Sequence, residues 1–407
     1  MQHETFSLPT GLRIIYLPSV SPVSYCGFAI NAGARDEDSR QFGLAHFVEH
    51  LLFKGTKKRK AWHILNRMEN VGGELNAYTT KEETFIYSVC LRENVERAME
   101  LLSDLVFNSQ FPSAEIEKEK EVILDEINSY KDNPSELIFD EFENVLFKGN
   151  EFGHHILGEE DSLNSFTSAT CHHFVNQFYH PENMIFFFYG KTDFSKIIRL
   201  TTKYFSEKKD IPAFAKKRIT PEVICPTKEE ADKDLHQSHV MIGARGYNYL
   251  NKKRIGLYLL NNILGGPGMN SRLNMSLREK YGLVYTVESG LTSYSDTGVF
   301  SIYFGCDHKS EGKCIQLVHK ELKKLRENQL TTSQFNTALK QLKGQLGISC
   351  DNKENIALGM GKSFLHFNKY DNLQEIYKKI DSLQANDLLA IANDIFDEDR
   401  LFSLIFR

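Results

Sequence analysis

One short pattern occurs twice in this chain, and it limits the architecture more than any other feature. A strand-length apolar segment runs into Gly33-Ala34-Arg35, and a second runs into Gly243-Ala244-Arg245; each is followed by a helix opening on Gly-Leu, at Gly43-Leu44 and Gly256-Leu257. Repetition at that distance predicts one α+β unit of about 200 residues present in two copies. The total of 407 residues agrees with two domains, given roughly 100–200 residues per domain. Between the copies, from Phe205 to Gln237, the composition turns to Lys, Glu, Asp and Pro with little apolar periodicity. We therefore expect domains over 1–212 and 237–407, joined by a linker over 213–236.

Periodicity within the first copy predicts strands over 12–17, 24–32 and 184–189 and helices over 43–52, 61–70, 95–107, 113–130 and 135–146, from apolar residues spaced three and four apart in the helices. Thr84 to Leu91 alternates, with Phe85, Tyr87, Val89 and Leu91 on one face, and reads as a half-buried strand.

Composition excludes several classes of function. With 49 basic and 54 acidic side chains the net charge is -5, so no overall positive field favours nucleic acid or an anionic membrane. No apolar run approaches the ~20 residues of a membrane helix. Seven cysteines, scattered without a CxxC pair, predict reduced, mostly buried thiols rather than a disulfide framework. The N-terminal residues carry no secretory or transit pattern, and the expected compartment is the cytoplasm.

The chemistry concentrates in His46-Phe47-Val48-Glu49-His50. Residues four apart on a helix are offset by only about 40°, so both imidazoles project from one face and can share one metal ion. Two neutral imidazoles suit zinc. Glu49 lies beside them, placed to take a proton from water without being a ligand. In the second copy the corresponding helix offers only apolar or amide residues such as Leu259, Leu260 and Asn262. A catalytic zinc needs a third protein ligand. The acidic helix 113–130 supplies candidates: Glu119 and Glu126, seven residues apart, share one stripe. Spacing alone does not choose among Glu119, Asp125 and Glu126.

The motif at 46–50, with Glu126 placed 76 residues after His50, resembles the pitrilysin family (M16) of zinc peptidases, the inverzincins. The similarity extends through Gly33-Ala34-Arg35 and Gly72-Gly73-Glu74-Leu75-Asn76-Ala77 into the second half. It implies an α+β fold of two homologous domains, each an α/β sandwich with a mostly antiparallel sheet covered by helices. By that resemblance His46, His50 and Glu126 hold one zinc per chain, Glu49 is the general base, and Glu119 supports the ligands. Leu277-Arg278-Glu279-Lys280-Tyr281-Gly282-Leu283-Val284-Tyr285 is similar to the segment in which the family holds the substrate backbone with an Arg and a Tyr, here Arg278 and Tyr285. Asn76 and Ala77 fall where the family adds a peptide substrate as an extra strand.

The implied activity is that of a zinc-dependent endopeptidase acting on peptides or unfolded chains. Two domains are half the number that encloses substrate in the long-chain relatives, which implies pairing, as a homodimer or with a homologous chain as a heterodimer. Two other readings follow from the same family: a noncatalytic core subunit of a complex, and a processing peptidase of narrow specificity. Other features carry less. Gly265-Gly266-Pro267-Gly268 lacks a phosphate-loop pattern, His154-His155 and His172-His173 read as loop or helix-surface histidines, and Trp62 reads as a packing residue.

Overall fold

A computed structural model describes residues 2–206, 217–222 and 228–407. The expected boundary at 212/213 and residues 213–216 and 223–227 of the expected linker lie outside them, Cys225 included.

Strand order repeats between two sheets. The first sheet contains β1 (Glu4–Ser7), β2 (Arg13–Pro18), β3 (Val23–Ile30), β4 (Glu74–Thr79), β5 (Thr84–Leu91) and β6 (Met184–Gly190), in the order β1-β2-β6-β3-β5-β4. The second contains β7 (Lys228–Ala231), β8 (Ser238–Arg245), β9 (Val284–Ser293), β10 (Gly298–Cys306) and β11 (Phe402–Phe406), in the order β7-β11-β8-β10-β9. Apart from the extra β1 these are one topology, down to the parallel pair in each: β2 with β6, and β7 with β11. All other strand pairings are antiparallel. β7 falls within the expected linker. Its sequence Lys-Glu-Glu-Ala is too polar for a central strand but suits an edge, where one side meets water.

The helices repeat as well. After α1 (Leu44–Leu51) and α2 (Ala61–Glu69) come α3 (Val95–Asn108), α4 (Ser113–Lys131) and α5 (Pro134–Leu146). The second copy has helices Arg254–Gly265, Glu311–Glu327, Thr332–Ser349 and Lys353–Phe367 at the positions of α1, α3, α4 and α5. One face of the first sheet, with Phe28, Ile86, Phe186 and Phe188, packs against α1, α2 and α3 through Phe47, Leu51, Ile64, Met68 and Leu102.

The compact units are not contiguous in sequence. One unit comprises Met1–Asn128, His154–Arg218 and Cys350–Tyr370; the other comprises Ser129–Gly153, Ile219–Ser349 and Asp371–Arg407. The helix Lys353–Phe367 lays Ala357, Met360, Phe364 and Leu365 on Phe85, Ile185 and Phe187 of the first sheet. In the other unit, α5 lays Leu137, Ile138, Phe142 and Leu146 on Met241, Phe402, Leu404 and Phe406 of the second sheet. Each sheet is thus covered on its second face by a helix from the other half of the sequence. This is why β5, expected to be half-buried, is buried on both faces: Ile86 and Cys90 point to one core, Phe85 and Tyr87 to the other. Trp62 departs from expectation too. It is 60% exposed, because α2 buries only Ile64 and Met68.

Candidate metal centre

α1 is eight residues long, and its apolar side chains Leu44, Phe47, Val48 and Leu51 are buried in the first core. Their spacing turns His46, Glu49 and His50 together toward α4 and β4. His46 and His50 have ring centroids 4.5 Å apart. Glu126, from α4, comes within 3.9 Å of His46 Nε2 and 3.7 Å of His50 Nε2, through Oε1 and Oε2 respectively. One ligand atom from each of His46, His50 and Glu126 lies within 4.8 Å of the other two, the arrangement of a group that could hold a metal ion. Among the described residues no other group of His, Cys, Asp and Glu meets that criterion.

The donor set fits a tetrahedral divalent ion. Donor atoms about 2.1 Å from zinc stand roughly 3.4 Å from each other, close to the separations of Glu126 from the two imidazoles and too long for hydrogen bonds. The proton positions also fit. Glu119 Oε1 lies 2.9 Å from His50 Nδ1, and a carboxylate can only accept there, so Nδ1 carries a proton and, in the neutral ring, Nε2 keeps its lone pair. His46 is buried, and that burial, assisted by neighbouring His50, lowers its pKa to about 3. It is therefore a neutral imidazole, and its Nδ1 has no hydrogen-bond partner. Burial decreases from His46 through His50 to Glu126, which is exposed, so the group is open on the carboxylate side.

Two carboxylates with different surroundings complete the centre. Burial raises the pKa of Glu49, and the charge of Glu126 adds to this against the opposing influence of His50 and Thr79. Its Oε2 accepts a 3.0 Å hydrogen bond from Thr79 Oγ1, at the end of β4. Burial would also raise Glu119, but His50 and Lys54, whose Nζ is 2.6 Å from Oε2, outweigh it and hold that carboxyl below its ordinary value. Burial would lower His50; the Glu119 hydrogen bond and the charges of Glu49, Glu126 and Glu119 more than reverse this.

Asn76 and Ala77 lie on β4, opposite Tyr87 and Ile86. Among the described residues β4 is an outer strand of its sheet, bonded only to β5, which leaves its other side with backbone groups able to pair with an added strand. Arg278 and Tyr285 belong to the second unit. Arg278 lies in a π-helical turn, Asn274–Glu279, and Tyr285 on the outer strand β9. Tyr285 is 88% exposed, with the Arg278 guanidinium 5.8 Å from its ring centroid.

Sequence reasoning missed Thr79, Lys54, Glu37 and His154. Glu37 is buried beneath the start of α1 and accepts hydrogen bonds from Gly43 N–H (2.8 Å) and Ala45 N–H (2.7 Å). His154 is buried against it rather than on a loop surface, its Nε2 lying 3.2 Å from Glu37 Oε2 and 3.1 Å from Ala34 O. No local pattern joins residues 117 apart. The acidic residue six before Gly43 was the one available signal.

The fold and cluster define a class: a duplicated, two-sheet α+β protein with a two-histidine, one-carboxylate centre in its first copy. Residues 13–160 match the family described as Insulinase (Peptidase family M16), and residues 165–342 match the Peptidase M16 inactive domain. An "Uncharacterized zinc protease" of Rickettsia felis is 34% identical over 399 residues, covering 96% of this chain and 94% of that protein. A Bacillus subtilis protein of the same description, YmxG, is 29% identical over 412 residues, covering 99% and 98%. The chain belongs to peptidase family M16. Among solved structures, a protease from Helicobacter pylori superposes with a TM-score of 0.91 at 23% identity, covering 100% of this chain and 99% of that one. A peptidase M16 inactive domain from Pseudomonas fluorescens gives 0.93 at 20%, covering 100% and 98%; both show the shared fold.

Proposed function

We propose that the chain is a zinc-dependent endopeptidase of peptides and unfolded polypeptides. The observation that carries this is the convergence of His46, His50 and Glu126, with Glu49 beside them and tied to the outer strand by Thr79. Zinc held by those three side chains would supply a Lewis acid that polarises the scissile carbonyl and lowers the pKa of water.

The chain's own residues divide the remaining work. Glu49, its proton affinity raised by burial, takes a proton from the attacking water and delivers it to the leaving amine. Glu119 holds the His50 ring through Nδ1. A peptide lying along β4 presents its backbone to Asn76 and Ala77 by strand addition, which reads main-chain groups and tolerates varied side chains. Arg278 and Tyr285 hold the substrate backbone and stabilise developing oxyanion charge. Two such chains form the working unit, as a homodimer in the cytoplasm, with one zinc in each.

Cleavage of an internally quenched peptide tests the reading. The zinc-loaded protein cleaves it and a chelator abolishes cleavage. Glu49→Gln, which keeps the three proposed ligands, lowers kcat by at least about 10²-fold while retaining zinc. Cleavage by Glu49→Gln at the wild-type rate would remove the proposed base.

A further inference from the structure

We infer that Glu37 is a positioning residue for the metal helix: its buried carboxylate caps the first turn of α1 and so sets the zinc affinity of His46. The inference rests on the reading that the His46, His50 and Glu126 group takes zinc. A helix of eight residues is too short to be stable by itself, and its first N–H groups need acceptors from outside the helix. The residue at the cap position cannot provide one. Gly43 has φ +96°, and a Cβ there would stand 2.5 Å from Leu157 O, so glycine is required and no capping side chain is available. Glu37 takes over that role from six residues upstream, with one carboxylate oxygen on Gly43 N–H and the other on Ala45 N–H.

The consequence reaches the site because His46 is the third residue of α1, within the turn that Glu37 holds. His50 lies a full turn further on and has its own support in Glu119. His46 has none, its Nδ1 being buried without a partner. Fraying of the first turn would therefore move His46 before any other proposed ligand. The support behind Glu37 is itself fixed: His154 bonds the carboxylate and stacks on Phe42 at 3.8 Å, and Ser162 Oγ donates to Phe42 O at 2.6 Å. In the second copy, counting from Gly243-Ala244-Arg245, the position of Glu37 holds Tyr247, which donates to Asp394 instead. Among the described residues, the copy without the histidines has no such buried cap on its helix.

The test compares Glu37→Ala and Glu37→Gln with Leu200→Ala, a core truncation on the helix Phe194–Tyr204 of the same unit. Zinc affinity is measured by competition with a chromophoric chelator, well below each protein's melting temperature, and the cobalt-substituted forms are compared by visible absorption. Glu37→Ala weakens zinc 10- to 100-fold, as loss of a ligand's support typically does, and changes the cobalt spectrum. Glu37→Gln, which keeps one acceptor, gives a smaller loss in the same direction. Leu200→Ala lowers the melting temperature but leaves zinc affinity and spectrum unchanged. If the Glu37 variants lose only thermal stability, with zinc affinity within twofold of Leu200→Ala, the inference is overturned. Should Glu37→Ala fail to fold, Glu37→Gln decides by the same criterion. A wild-type protein that takes up no zinc would overturn the proposed function first and this inference with it.

Discussion

The two copies share a strand order and a helix order, yet the helix after their third and eighth strands carries opposite contents. In α1, His46, Glu49 and His50 form a polar face. In the helix Arg254–Gly265 the same positions, counted from Gly-Leu, are Leu259, Asn262 and Ile263, and Leu259 is fully buried in the second core. The backbone accepts either set, so the fold does not require the metal residues. Those residues instead burden the fold, since a buried neutral imidazole with an unpartnered nitrogen is less favourable than a leucine.

The largest expected effect tests whether the exchanged helices bear the same load in both copies. Phe364→Ala and Phe142→Ala each remove a buried ring that packs on the second face of a sheet. Each should lower unfolding free energy by about 3–5 kcal/mol, measured by urea denaturation; a loss below about 1 kcal/mol in only one would break the equivalence. Next, Glu83 secures the helix Lys353–Phe367 to the first sheet through His366, at 2.6 Å, and Lys362, at 3.1 Å. Burial works to raise its pKa, but these partners hold it at about 2 against an ordinary 4.5. Its stabilisation is thus complete above pH 4.5 and is lost as pH falls toward 2, on the order of 3 kcal/mol in all. Glu83→Gln should remove that component of the acid unfolding curve, and an unchanged curve would refute it. The smallest effect swaps the two copies' contents: His46→Leu should keep the fold, gain about 1 kcal/mol in the metal-free protein and lose zinc binding. A misfolded His46→Leu would show that the backbone does depend on the histidine.

The residues pointing one way along α1 were legible because helical periodicity alone puts His46 and His50 on one face. Strands such as β5 and β6 were legible from alternation and apolar runs. The helix exchange was not, because the periodicity of α5 and of Lys353–Phe367 shows an apolar face without saying which sheet it covers. Glu126 could not be separated from Glu119 and Asp125 by spacing, since the choice depends on how α4 packs on α1. Thr79 and Lys54 were missed for a related reason: each acts through one hydrogen bond or ion pair to a distant partner, and Glu37 acts on backbone N–H groups six and eight residues on, none of which leaves a periodic trace.

The most direct test is zinc K-edge X-ray absorption on the zinc-loaded protein. The account predicts one zinc per chain with only nitrogen and oxygen neighbours at about 2.0–2.2 Å, two of them imidazoles, and loss of that signal in Glu126→Ala. Sulfur in the first coordination shell, or an unchanged spectrum in Glu126→Ala, would contradict it.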